Sequence, residues 1–369
     1  MNLNYKIIHG YLQDLFNFPR MIFLRYCEEE ETSLRYLALR KDPNYKDELE
    51  SIYYNLESYL TTIKNFYSFD QSFHYDLSFL LEVAFPIREH DDYDTYFNRI
   101  FEYDEKVIRE KLIEVMLLSD ESTHQLSTVG IEEKINRMIN NQNQLIDFLK
   151  NLHINDDYRW QLLIILNQPQ KAIEAFQTFI KTIKPRFDAY YELKKEMISL
   201  VKKNLTEVFE QGLDTFNALT NYMIPKAYFK QNLNVIYLSI TAPYQLTIRQ
   251  TKNDTYFIFG INMLKGFEFL KALREDELEE RTRVFKILSD HTRYQVLKFI
   301  ASGVSSTKAV AEKLNVSSAT ISYHINAFVT QGIIVLSSDK YRKYEVNYDY
   351  LQTIWHKSME DLKNEGHTF

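Results

Sequence analysis

Between residues 317 and 324 the sequence crowds six hydrogen-bonding side chains: Ser317, Ser318, Thr320, Ser322, Tyr323 and His324. Hydroxyl, phenol and imidazole groups both donate and accept, so this run suits contacts to phosphate oxygens and to the edges of bases. Lys340, Arg342 and Lys343 then place three cations within four positions, and Arg293 adds another upstream. Cations of this kind neutralise backbone phosphates. The overall charge of −7 hides this chemistry: residues 281–357 carry +6, and the rest of the chain −13. Such asymmetry points to nucleic-acid contact by the basic part.

The elements around these residues follow from apolar spacing. Val284, Phe285 and Leu288 give one helical stripe, stopped near Ser289-Asp290. Tyr294, Val296, Leu297 and Ile300 give a second, closed by Ser302-Gly303 with the glycine as left-handed C-cap. A short third helix starts at Ser305 or Ser306 and carries Val310, Ala311 and Leu314, and Asn315-Val316-Ser317 turns the chain. A fourth helix, Ser318–Thr330, has Ile321, Ile325 and Phe328 inward. Its outward set is Ser317, Ser318, Thr320, Tyr323, His324 and Ala327. Two strands follow, Ile333–Leu336 and Tyr341–Val346, and then a helix bearing Leu351, Ile354, Trp355 and Leu362. Helix, helix, helix–turn–helix and hairpin is the order of a winged helix-turn-helix, whose last turn-helix fits a DNA major groove about 12 Å wide.

The residues themselves resemble a family. LSDHTRYQVLKFIASG (Leu288–Gly303), AVAEKLNVSSATISYHINAFVTQGII (Ala309–Ile334) and KYRKYEVN (Lys340–Asn347) are similar to the DNA-binding domain of ArsR-type bacterial regulators. Its pattern reads roughly L-S-D-P-T-R and then S-x-x-T-x-S-x-H-[LI]. Ser317, Thr320, Ser322, His324 and Ile325 match; His291 replaces the proline, and Tyr323 stands where the family commonly has Arg. The layout also resembles longer ArsR-like proteins with a large N-terminal domain. The resemblance implies a cytoplasmic transcriptional repressor that binds double-stranded DNA. It implies a homodimer whose winged domains pair through their first and last helices, with Leu351, Ile354, Trp355 and Leu362 at the interface. It also implies an N-terminal domain that answers to a small-molecule or protein effector. Metal-sensing members carry a Cys-x-Cys motif before the turn; Ala309–Leu314 has no cysteine, and His356 with Glu360 reads as a solvated pair, so no metal is expected.

Over 369 residues the fold class reads as mainly α. A mostly helical regulatory domain, 1–270, carries a small antiparallel sheet (strands near 3–9 and 233–261) and precedes a winged helix at 271–369. Helical stripes run over Tyr45–Phe66, Tyr93–Leu118 behind an Asp92 cap, Ile131–Leu152, and Ala172–Phe209, which Pro185 kinks or breaks. Strands run over Leu233–Ile240, Gln245–Gln250 and Thr255–Ile261, the last two joined by Thr251–Asp254. Only 8 Gly and 7 Pro in the chain favour long helices, and no glycine-rich phosphate loop occurs. One cysteine, Cys27, forms no internal disulfide. No catalytic residues and no cofactor are expected, and the acidic group at Glu89, Asp91, Asp92 and Asp94 reads as a helix start. The 27 Tyr and 25 Phe read chiefly as core. The first residues lack a signal-peptide pattern, and no apolar run reaches about 20 residues, so no membrane contact is expected. The alternative function is a protein-interaction scaffold whose winged domain docks a partner protein.

Overall fold

The computed structural model describes residues 4–25, 34–68, 73–88, 90–119, 128–152, 154–220, 224, 228–229, 233–250, 255–275, 277–304, 307–337 and 343–365. Cys27, Glu89, the Thr251–Asp254 turn, Ser305, Ser306, Lys340 and Arg342 lie outside the described residues. The chain opens with β1 (Tyr5–His9), α1 (Tyr11–Asn17), α2 (Met21–Leu24), α3 (Leu34–Lys41), α4 (Pro43–Leu56), α5 (Leu60–Ile63) and α6 (Leu77–Ala84). Next come α7 (Tyr93–Phe101), α8 (Glu105–Ser119), α9 (Thr128–Asn140), α10 (Gln142–Lys150), α11 (Asp156–Asn167), α12 (Pro169–Gln211) and α13 (Leu213–Leu219). Three strands, β2 (Asn234–Ser239), β3 (Leu246–Gln250) and β4 (Thr255–Gly260), lead to α14 (Met263–Glu275), α15 (Glu277–Ser289) and α16 (His291–Ala301). The last elements are α17 (Thr307–Leu314), α18 (Ser318–Gln331), β5 (Ile334–Leu336), β6 (Tyr344–Val346) and α19 (Tyr348–Glu365). By its contacts the chain forms two compact units: Gly10–Tyr26 with Lys46–Lys195, and Met1–His9 and Cys27–Tyr45 with Glu196–Phe369.

The first of these units is helical. Asp92 caps α7, its carboxylate accepting the Thr95 amide at 2.8 Å. The single stripe expected from Tyr93 to Leu118 is two helices, α7 and α8. Asn141 likewise divides the Ile131–Leu152 stripe by capping α10. α12 is not broken at Pro185, which sits inside one helix of 43 residues. The ring removes one donor, the bond to the carbonyl four residues back, while buried Ile183 and Phe187 anchor the helix on both sides. The aromatic surplus is core: Phe16, Tyr96, Phe97 and Phe176 pack ring on ring at 5.2–6.3 Å. Buried hydroxyls find backbone acceptors, Tyr158 donating to the carbonyls of Phe66 (2.8 Å) and Tyr75 (3.0 Å). Burial pushes the phenols of Tyr67, Tyr96 and Tyr158 well up.

The second unit holds the sheet, in the order β1-β2-β4-β3. The expected antiparallel sheet is mixed: β1 and β4 both flank β2 in parallel, and only β3–β4 is antiparallel. Parallel neighbours need a long crossover, and β1 is separated from β2 by more than two hundred residues. After β2 the chain skips one strand position, and β4 returns to fill the gap. That return brings backbones close. A Cβ on Gly260 would stand 2.2 Å from the Ala242 carbonyl oxygen and 2.3 Å from that of Pro243. Nearby, Asp42 accepts hydrogen bonds from Tyr244 (2.5 Å) and Lys265 (2.7 Å), which joins the α3–α4 junction to α14. Burial pushes the Asp42 carboxyl up, but these donors and the lysine charge outweigh it and hold the pKa below the usual range. Gly260→Ala should therefore lower stability by about 1–3 kcal/mol through backbone displacement; an unchanged urea midpoint would show that the loop moves away freely.

Candidate nucleic-acid interface

The winged region builds from its caps. Asp290 accepts the Arg293 amide at 2.7 Å and starts α16, with His291 at the position where proline would serve equally. Gly303 takes φ 86° just past its end. In the turn after α17, Asn315 adopts φ 53°, a left-handed angle that asparagine tolerates better than most residues. Ser317 then caps α18: its Oγ accepts the Thr320 amide at 3.0 Å and lies 2.8 Å from the Thr320 hydroxyl. Gly332, at φ 75°, ends α18 as a left-handed C-cap and sends the chain into the β5–β6 hairpin, paired antiparallel from Ile334–Val346 to Leu336–Tyr344.

Burial decides which faces are free. Ile321, Ile325 and Phe328 of α18 enter one core with Val284, Val296, Ile300 and Val310. Two residues expected on inward stripes lie outside it: Phe285 is 41% exposed and Tyr294 52%, and Ile287 takes the inward place on α15. They stand at the edges of their stripes, where spacing alone does not separate core from surface.

Ser317 and Ser322 are exposed, while Ser318, Thr320 and Tyr323 are half-buried. His324 and Ala327 are corrections: both expected outward, they are 6% and 0% exposed. His324 is a support. Arg293 crosses from α16, donating from Nε to His324 Nδ1 at 3.4 Å and from Nη2 to the Tyr323 hydroxyl at 2.6 Å. An accepting Nδ1 assigns the ring proton to Nε2. Burial, then the Arg293 charge, hold the imidazole below its usual pKa, with Asp290 opposing. The sequence pattern placed Arg293 among the candidates without showing that it grips the turn-helix; the α16–α18 crossing that joins them is not local. Lys343 is exposed, its Nζ 5.3 Å from the Tyr344 ring centroid.

On α19, Tyr348, Trp355, Met359 and Leu362 are 65%, 58%, 37% and 70% exposed and share one flank by their spacing. Of the four residues expected at the interface, only Trp355 and Leu362 lie on this flank, joined by Tyr348 and Met359; Ile354 and Leu351 are corrections, since the first is in the winged-domain core and the second packs against it. Ile354 is buried, a quarter-turn or so from this flank, and the helix is fixed to α15 by Arg281–Asp361 (2.5 Å) and Tyr350–Glu280 (2.8 Å).

Residues 289–335 match the family model for winged helix-turn-helix DNA-binding. This stretch is a winged helix-turn-helix DNA-binding domain. No curated protein and no solved structure matches the chain. Among the described residues, no group of three or more His, Cys, Asp or Glu gathers to hold a metal, and no helix is long and apolar enough to cross a membrane.

The winged domain should be acid-sensitive through His324. Its folded pKa is depressed, so as pH falls the unfolded chain binds the proton first, near the ordinary value of about 6.5, and stability drops. His324→Gln should flatten the fall in urea midpoint between pH 7.5 and 5.5; an identical slope would place the sensitivity elsewhere.

Proposed function

We propose that the chain is a transcriptional regulator, a repressor of the ArsR type, that reads an operator in double-stranded DNA as a homodimer. The observation that carries this reading is the division of α18: its apolar face is used up in the core, and Ser317, Ser322 and Tyr323 are left on a polar face with Lys343 exposed on the wing. Hydroxyl and phenol groups suit base edges and phosphates, while the wing cations Lys340, Arg342 and Lys343 supply sequence-independent affinity. Docking of a protein partner would favour an apolar outer face instead.

The exposed stripe of α19 supports the homodimer, since pairing across a two-fold would cover Trp355, Met359 and Leu362 together. Two reading helices so related suit half-sites about one helical turn apart. The sheet and the winged domain lie in the same compact unit. That shared unit supports regulation of the wing by the N-terminal region on binding an effector. The protein works by binding, without a catalytic step, in the cytoplasm where its DNA lies.

Lys343→Ala should weaken binding to all duplexes alike and reduce the slope of log K against log salt by about 1. An unchanged slope in an anisotropy titration removes the wing from the interface. Leu362→Asp should convert a sedimenting dimer to monomer; a dimer that persists contradicts pairing through α19.

A further inference from the structure

Tyr323 and Arg293 together determine more than a position. The Tyr323 oxygen accepts from Arg293 Nη2 at 2.6 Å, and Arg293 is itself held at two other points, its amide on the Asp290 carboxylate (2.7 Å) and its Nε on His324 Nδ1 (3.4 Å). His324 is buried and its neutral form is favoured, so that nitrogen stays available as an acceptor. A phenol oxygen makes one strong bond as acceptor and one as donor. Here the acceptor side is taken, and no described protein group accepts the hydroxyl proton. Tyr323 is half-buried, on the second turn of α18, past the Ser317 cap.

We propose that Arg293 makes Tyr323 a donor-only reader, so that its hydroxyl selects an acceptor on a base edge and rejects cytosine at that position. The inference rests on the DNA-reading role of α18 and names what one residue of it reads. In the major groove, purine N7, guanine O6 and thymine O4 accept, whereas the cytosine edge offers its N4 amine, a donor. Opposing donors leave both unpaired in a dry contact, which is where discrimination arises. Were the oxygen free to rotate and accept, cytosine would be tolerated. Tyr323 is thus the specificity residue, and Arg293 the positioning residue that sets the direction of its hydrogen bond.

The test is selection of bound duplexes from a random-sequence library by the full chain, for the wild type, Tyr323→Phe, Arg293→Ala and Arg293→Lys. The wild type is expected to enrich a motif with cytosine depleted at one position of each half-site by about three- to tenfold. Tyr323→Phe should lose that depletion alone and keep the rest of the motif. Arg293→Ala should lose it at the same position with the phenol still present, and Arg293→Lys, which keeps a donor, should retain it. A Tyr323→Phe motif identical to the wild type overturns the proposal, including the case where affinity falls uniformly because the hydroxyl meets a phosphate. Retention of the depletion in Arg293→Ala overturns the positioning role. A wild-type motif with a cytosine-depleted position that Tyr323→Phe leaves in place overturns the assignment to Tyr323. Enrichment of no motif by the wild type defeats the DNA-reading role itself, and with it this inference.

Discussion

Burial of Ile321, Ile325 and Phe328 is the constraint from which the rest of the winged domain follows. A helix has one circumference, and three apolar residues at spacings of four and three commit one side of it to the core. On the other side Ala327 and His324 are buried as well, which leaves Ser317, Ser322 and the half-buried Tyr323 as the polar groups within reach of solvent, and their placement depends on how α18 is held at its ends. Ser317 fixes one end and Gly332 the other. The left-handed Asn315 gives a turn tight enough for α17 to brace α18. Together these features leave hydroxyl groups at exposed Ser317 and Ser322 and half-buried Ser318, Thr320 and Tyr323 around the capped helix.

Arg293 joins α18 to α16 through Tyr323 and His324. A cation buried under a helix would ordinarily carry a desolvation penalty, but here it is only half-buried and its donors meet a phenol and a neutral imidazole. Because both acceptors are neutral, neither cancels the positive field of the guanidinium beside α18. A carboxylate in place of His324 would hold Arg293 more strongly and cancel that field.

Much of this was legible in local sequence, and the reasons it was legible are local. The Asp92 cap and the left-handed Gly303 act within three or four residues, so type and spacing suffice, whereas Asp290 and Ser317, read from sequence as a stop and a turn, show themselves as caps only through their hydrogen bonds. The apolar stripes of α16, α17 and α18 likewise repeat within one helix. What local pattern did not supply depends on distant neighbours. The parallel pairing of β1 with β2 joins Tyr5 to Asn234, far apart in the chain. The inward turn of His324 depends on Arg293 arriving from another helix, and the exposure of Phe285 and Tyr294 on which elements pack beside them. Pro185 failed to break α12 because flanking burial outweighed a single lost bond. The aromatic surplus was legible as core, although not which rings meet.

If the polar face of α18 is where the protein meets DNA, amide exchange should report it directly. Hydrogen–deuterium exchange of the full chain, with and without saturating duplex, follows every segment at once. The account predicts slowed exchange in peptides covering 315–324 and the wing around Lys343 in the DNA-bound protein. Slowing confined to segments outside 277–365, or none at saturation, would contradict it.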